Sequence, residues 1–298
     1  MKIRFLKREE IDKVKWNSCV HYANNGNVFG YMWFLDHVAK DWDALVEGDY
    51  ESVFPLVYKE GRGGKKELHQ PYWMRELGVY SIHVLSHKRL KAFVDAIPEE
   101  YHRIRIALNE QNQLPELEGF ETGTQANYQL WLNRSFEEIV DGYDRELMKT
   151  LDQGEEIGLF PSNNLKPEAA ADFFRAHSSG RVRDTDYHAL LRIMYNVLHR
   201  GWGFLSGVQN REGELLAVNF FIISHKRMLS LMPAESPAGK KIGGLAYLTN
   251  AIIRTNAERP MILDFNDEGV DGFPQQFGAT SNTFYQLVRK EPKRWWQV

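Results

Sequence analysis

The chain has 298 residues, 43% hydrophobic and 26% charged, and a formal net charge of −3 from 37 basic and 40 acidic residues. That balance excludes a disordered or collagen-like chain, and it lacks the Lys/Arg excess of a dedicated duplex-DNA binder. At roughly 150 residues per domain the length suits one large domain or two medium ones. The single cysteine, Cys19, excludes an intrachain disulfide. The N-terminal decapeptide is charged every few residues and lacks the apolar centre of a signal peptide. The longest apolar run, Leu215–Ile223, is broken by Asn219 and falls well short of the ~20 residues that span a bilayer. The expectation is a cytoplasmic protein with neither a membrane nor duplex DNA as partner.

In chain order, residues 8–24 predict an amphipathic helix with Ile11, Val14 and Cys19 on one face, closed by Asn24-Asn25-Gly26-Asn27. A second helix is expected over 30–39. Ser52 to Lys59 predicts a strand, Glu60 to Gly64 its turn, and Leu68 to Pro71 the return strand. Leu90 to Ile97 reads as helix, then Arg103 to Leu108 and Asn127 to Leu132 as strands. Ser135 with Glu138 forms a capping box for a helix running toward Leu151, and helices follow over 167–177 and 187–200. Gly203 to Gln209 and Leu215 to Ser224 form a strand hairpin, Met228 to Pro233 a further strand, Leu245 to Thr255 a helix, Met261 to Phe265 and Phe284 to Arg289 strands. Large aromatics are expected in the core, with Trp295 and Trp296 packing back onto the body.

Each half thus repeats one order: helices, a hairpin, a loop, a helix and more strands. The pattern predicts an α/β (α+β) chain of two similar units joined near residue 134, spanning 1–134 and 135–298, each on a mixed sheet.

Lys240, Lys241, Gly243 and Gly244 precede the helix expected from Leu245. Glycines let a backbone approach phosphate closely, and the first unpaired helix amides point at it. Other constellations fail. Asp264 to Gly269 opens like a calcium loop, but its twelfth position is Gln275 where a bidentate Glu is required. No Cys pair or HExxH supports a metal, and Cys19 is expected to be a buried, inert thiol.

Leu216–Ile222 with Met228–Met232, the segment Lys241-Ile242-Gly243-Gly244-Leu245-Ala246, and Leu263-Asp264-Phe265 followed by Phe273 and Phe277-Gly278-Ala279 resemble the GNAT (N-acetyltransferase) superfamily. Within it they are most similar to the Fem-type peptidyltransferases, which carry two GNAT-like domains in one chain, each a mostly antiparallel sheet flanked by helices. The resemblance implies an acyl donor site in the second domain, with acetyl-CoA or another acyl-CoA as co-substrate and no metal. It places the pyrophosphate on Lys240, Lys241, Gly243, Gly244 and Ala246, with Met232 on the strand that supplies an oxyanion donor. The acceptor would be the amine of a small molecule or peptide. Asp264 and Glu235 are the candidate bases, because an attacking amine must shed a proton to a group within hydrogen-bond reach, and Tyr285 is a candidate for the acid that protonates the leaving group. Where many acetyltransferases carry a tyrosine general acid after the Phe matching Phe273, this chain has Pro274. Two alternatives stay open: an aminoacyl-tRNA as donor, and a binding protein that has kept the fold without the chemistry.

Overall fold

The computed structural model describes residues 2–178 and 180–290, so Trp295 and Trp296 lie outside the described residues. The architecture is mixed α/β, with mostly antiparallel strands flanked by helices. Contacts divide the chain into two compact units: residues up to Gln125 together with those from Thr283 on, and Ala126–Asn282. The division falls after Gln125, and it returns most of the last strand to the first unit.

The first unit contains β1 (Ile3–Leu6), α1 (Lys13–Tyr22), α2 (Met32–Val38), β2 (Asp41–Glu47), β3 (Ser52–Glu60), β4 (Lys66–His69), β5 (Tyr80–Ser81), α3 (His87–Asp95), β6 (Tyr101–Leu108) and the start of β7 (Phe120–Trp131). β1, β2 and β3 run antiparallel in sequence, β3 pairs with both β4 and β5, and β4 lies parallel to β6. The second unit continues with α4 (Phe136–Val140), α5 (Arg145–Ile157), β8 (Phe160–Ser162), α6 (Pro167–His177), α7 (Asp184–Arg200), β9 (Gly203–Gln209), β10 (Leu215–Ser224), β11 (Arg227–Ser230), β12 (Ala234–Glu235), α8 (Pro237–Ile242), α9 (Gly244–Asn256), β13 (Ile262–Asp264) and α10 (Phe273–Gln276). β14 (Thr280–Arg289) ends the described chain and pairs with β6 through Tyr285–Val288.

The two units share one order of elements. In each, an edge strand is followed by two helices and an antiparallel hairpin. The return strand is split into two pieces, β4 and β5 or β11 and β12, against a single partner. One helix (α3) or two (α8 and α9) follow, and then a strand parallel to the first piece.

Several elements differ from the sequence reading, for physical reasons. The helix expected over 135–151 is two helices, because Asp144 caps a new start at Arg145 and Gly158 (φ 79°) ends it. Val14 is 75% exposed, so the apolar face of α1 is Trp16, Cys19 and Val20 instead. β2 escapes recognition because it buries two carboxylates, Asp43 and Glu47, among apolar residues. Asp43 Oδ2 accepts from the Tyr101 hydroxyl at 2.6 Å, Lys66 Nζ at 3.1 Å and Lys7 Nζ at 3.2 Å, and Lys66 also lies over the Tyr58 ring.

Burial alone would raise the Asp43 carboxyl, but the hydrogen bonds from Tyr101, Lys66 and Lys7 outweigh it and hold the group below its ordinary value. A carboxylate depressed in the fold stabilises it at neutral pH and loses that contribution as pH falls through the folded value. Lys66→Met removes one partner of a buried charge and is expected to lower stability by about 2 kcal/mol at pH 7. Urea unfolding of both proteins checks this, and the difference should shrink as acid protonates Asp43.

Candidate functional site

The site grows from a parallel strand pair in the second unit that is short by construction. β11 and β13 stay in register for three residue pairs, Arg227–Ile262, Met228–Leu263 and Leu229–Asp264. Beyond them no further pairing among the described residues joins the two strands, while each keeps its neighbour on the other edge: Phe265 donates its amide to the Tyr128 carbonyl of β7, and Leu231 donates to the Phe220 carbonyl of β10.

A bulge in the return strand accompanies this end of the ladder. β10 pairs Phe221 with Ser230 and Val218 with Ala234. Two residues of β10, Asn219 and Phe220, therefore lie opposite three, Leu231, Met232 and Pro233. The additional residue bends the strand and re-aims its backbone. Asn219 holds the bulge from within: its Nδ2 donates to Ser230 Oγ at 2.8 Å, and its Oδ1 accepts the Met232 amide at 3.3 Å. Asn219 is buried, and a buried amide is retained only where it is hydrogen-bonded. The polar interruption of an apolar strand was visible in the sequence, but its role as a clamp was not.

The first unit handles the equivalent place differently. Ten residues, 70–79, connect β4 to β5, and Leu77 forms a parallel bridge with Leu108 of β6. Leu77 donates to the Ala107 carbonyl, Asn109 donates to Leu77, and Ala107 donates to Gln70 Oε1. Gln70 and Leu77 thus extend the partnership of β6 beyond β4.

Asp264 stands at the last register position of β13 and is 2% exposed. Its Oδ1 accepts from Asn127 Nδ2 at 2.8 Å and from the Asn266 amide at 2.9 Å, and its Oδ2 accepts from Arg227 Nη1 at 2.8 Å. The carboxylate therefore ties β7, β11 and β13 together.

The phosphate loop expected over Lys240–Gly244 is not a loop. Ser236 caps α8 by accepting the Gly239 amide, with Pro237 opening the first turn. Lys240 and Lys241 are exposed in the last turn of α8. Gly243 (φ 68°) ends α8 and begins α9, which has no side-chain cap of its own. Gly244 is buried, Ala246 faces the apolar core, and Met232 is buried on the bulge.

Glu235, at the end of β12, reaches across to supply what α9 lacks. Its Oε1 accepts the Leu245 amide at 2.7 Å, and the neighbouring Gly244 amide also favours the ionised carboxylate. Burial raises the Glu235 carboxyl, and these amides with nearby Lys240 partly counter that rise. Two expected roles thus fall on one spot: Glu235 engages the same amides that the sequence offered to a diphosphate. With the carboxylate in place, an added diphosphate does not fit there.

Tyr285 is on β14 opposite Leu108, in the first unit. Pro274 is buried in the short α10. Among the described residues no group of three or more His, Cys, Asp or Glu is placed to hold a metal ion, and no helix is long and apolar enough to cross a membrane.

No protein-family model matches the sequence, and no curated protein matches it. Solved structures do match in fold. The chain is similar to FemX, with a TM-score of 0.62 and 12% identity over 96% of this chain and 97% of that one. It is similar to L-PGS from Bacillus licheniformis, with a TM-score of 0.58 and 12% identity over 95% and 93%. It also matches a tandem GNAT protein from the clavulanic acid biosynthesis pathway, at a TM-score of 0.50 and 8% identity over 98% and 100%. At these identities the likeness is one of fold, and the fold is GNAT/Fem-like.

Gly243 sets the angle between α8 and α9, and a Cβ there would come within 2.1 Å of Thr150 Cγ2. Gly201 has nearly the same φ, 67°, but open space around it. Alanine at Gly201 should cost about 1 kcal/mol for the left-handed backbone alone, whereas Gly243→Ala should cost about 2–3 kcal/mol because it also crowds a neighbour. Adding Thr150→Ala to Gly243→Ala should recover part of the loss, as read in a double-mutant cycle of chemical unfolding.

Proposed function

We propose that this chain is an N-acyltransferase that moves an acyl group from an activated ester or thioester to the amine of a small molecule or peptide. The observation that carries the reading is the pair β11–β13, whose ladder ends after three residues, with a clamped bulge on one strand and a long helix following it. A strand that leaves its partner offers backbone groups to a ligand, and an oxyanion needs donors that are already aligned. The first unit, where Leu77 bridges to β6, offers less room for this, which supports placing the chemistry in the second.

The amine attacks the acyl carbonyl and gives a proton to the acceptor; the adduct then collapses, the C–O or C–S bond to the donor breaks, and that proton passes to the departing oxygen or sulfur to release the alcohol or thiol. Of the two carboxylates expected in this region, Asp264 has both oxygens committed to three donors. Glu235 is therefore assigned as the proton acceptor. A carboxyl raised by burial is the better base near neutral pH, since efficiency grows as the acceptor's pKa approaches the operating pH.

A thioester of CoA is the donor that the sequence motif implies. An aminoacyl ester of tRNA is the second reading, and the placement of Glu235 favours it, because that donor needs no diphosphate on α9.

The test incubates the purified chain with acetyl-CoA, longer acyl-CoAs and aminoacyl-tRNAs against a panel of amines, followed by mass spectrometry. The expected result is an amide product from at least one donor, with the rate lowered about 100-fold in Glu235→Gln, within the range for loss of a general base. A donor that binds and is never consumed, with any amine, would instead identify a binding protein.

A further inference from the structure

The inference concerns donor choice and rests on the acyl-transfer reading. We infer that Glu235 is a specificity residue: its carboxylate holds the first amides of α9 and so turns away donors that would place a diphosphate there.

The contact is built in. The backbone of Glu235 is fixed by its pairing with Ala217, and the next residue, Ser236, donates its amide to Leu216. The side chain then lies between α8 and α9. On one side Gly239 approaches so closely that a Cβ there would meet Glu235 Cγ at 2.8 Å and the Leu216 carbonyl at 2.3 Å. On the other side stand the Leu245 and Gly244 amides. α9 has 13 residues, no acidic residue in its first turn and no side-chain cap, so this carboxylate is the anion that complements its positive end.

Two anions cannot share those amides. A diphosphate arriving there must displace Glu235, break its hydrogen bonds and leave a half-buried carboxylate beside a second negative group. Lys240 and Lys241 in the last turn of α8 attract anions to this surface, but they do not free the amides.

A purely structural role is the competing explanation, in which Glu235 only caps α9 from a distance. The two differ in what removal does. Without the carboxylate, the amides become available to an external anion if Glu235 is a barrier to it. If it is only a cap, the chain merely becomes less stable.

Calorimetric titration of pyrophosphate and of CoA into the wild type, Glu235→Ala and Glu235→Gln, at one pH and low salt, decides between them. We expect at least tenfold tighter binding of both probes by Glu235→Ala, and a smaller gain by Glu235→Gln, whose amide oxygen still accepts. The gain should vanish in Glu235→Ala/Gly244→Glu, which returns a carboxylate at a position where a Cβ meets only ordinary contacts of 3.5 Å. Equal affinity in the wild type and the single variants, whether measurable or undetectable, overturns the inference. So does a gain that survives the added Glu, because the anion then binds elsewhere. If Glu235→Ala fails to fold, Glu235→Gln alone carries the comparison. Because both probes read binding alone, this result is independent of the transfer assay. Tighter binding with no product under any condition would leave the donor barrier standing and reject acyl transfer. Product formed from CoA thioesters with no difference in affinity would do the reverse.

Discussion

The geometry of the candidate site depends on a parallel strand pair whose ladder lasts three residues and then ends. Parallel strands normally continue their ladder, since unpaired backbone groups are costly to bury. Here the ladder between them stops at Leu229 and Asp264, while each strand keeps its other neighbour. β11 gives way to a bulge that still bonds to β10, and the chain after β13 continues its bonding with β7. Side chains make this ending stable. Asn219 satisfies the bulge from inside, and Asp264, held by Arg227 and Asn127, fixes the three strands where the ladder ends.

The same logic of complete satisfaction governs the end of α9. A helix that opens on a left-handed glycine has no local side chain to cap it. The fold resolves this with a carboxylate from the preceding strand, so the helix end is electrostatically complete without a ligand. That is a different solution from the phosphate cradle that the glycines suggested. In the proposed function this one carboxylate carries two roles that the sequence reading kept separate, proton acceptance and donor recognition. The first unit shares the order of elements but lengthens the segment between β4 and β5, and Leu77 then bridges to β6. One topology thus supports an open and a bridged version of the same strand geometry.

Much of the fold was legible in the sequence, because periodicity and caps report on local structure. The hairpin of β9 and β10, the capping box at Ser135 and the Pro-initiated α6 all follow from short-range patterns. β2 was hidden by Asp43 and Glu47, whose burial depends on distant partners such as Lys66 and Tyr101 for Asp43 and Arg89 for Glu47. α8 was hidden for another reason: the glycines and lysines drew attention from Ser236-Pro237, a helix start that the sequence did contain. At the site, the positions were legible and the bonds were not. Asp264, Glu235 and Gly244 stood out by type and spacing, yet the lock on Asp264 requires Asn127, 137 residues away. The clamp at Asn219 was marked only as a polar residue in an apolar run.

The central claim is that the Glu235 carboxylate sits on the amides of Gly244 and Leu245, and nuclear magnetic resonance tests it most directly. The amide proton shifts of both residues would be followed as pH is lowered, with the Glu235 side-chain carboxyl as reference. The account predicts that all three report one common titration, with a midpoint above the ordinary glutamate value because burial raises the carboxyl. Amides that do not titrate with Glu235, or a midpoint at or below the ordinary value, would contradict it.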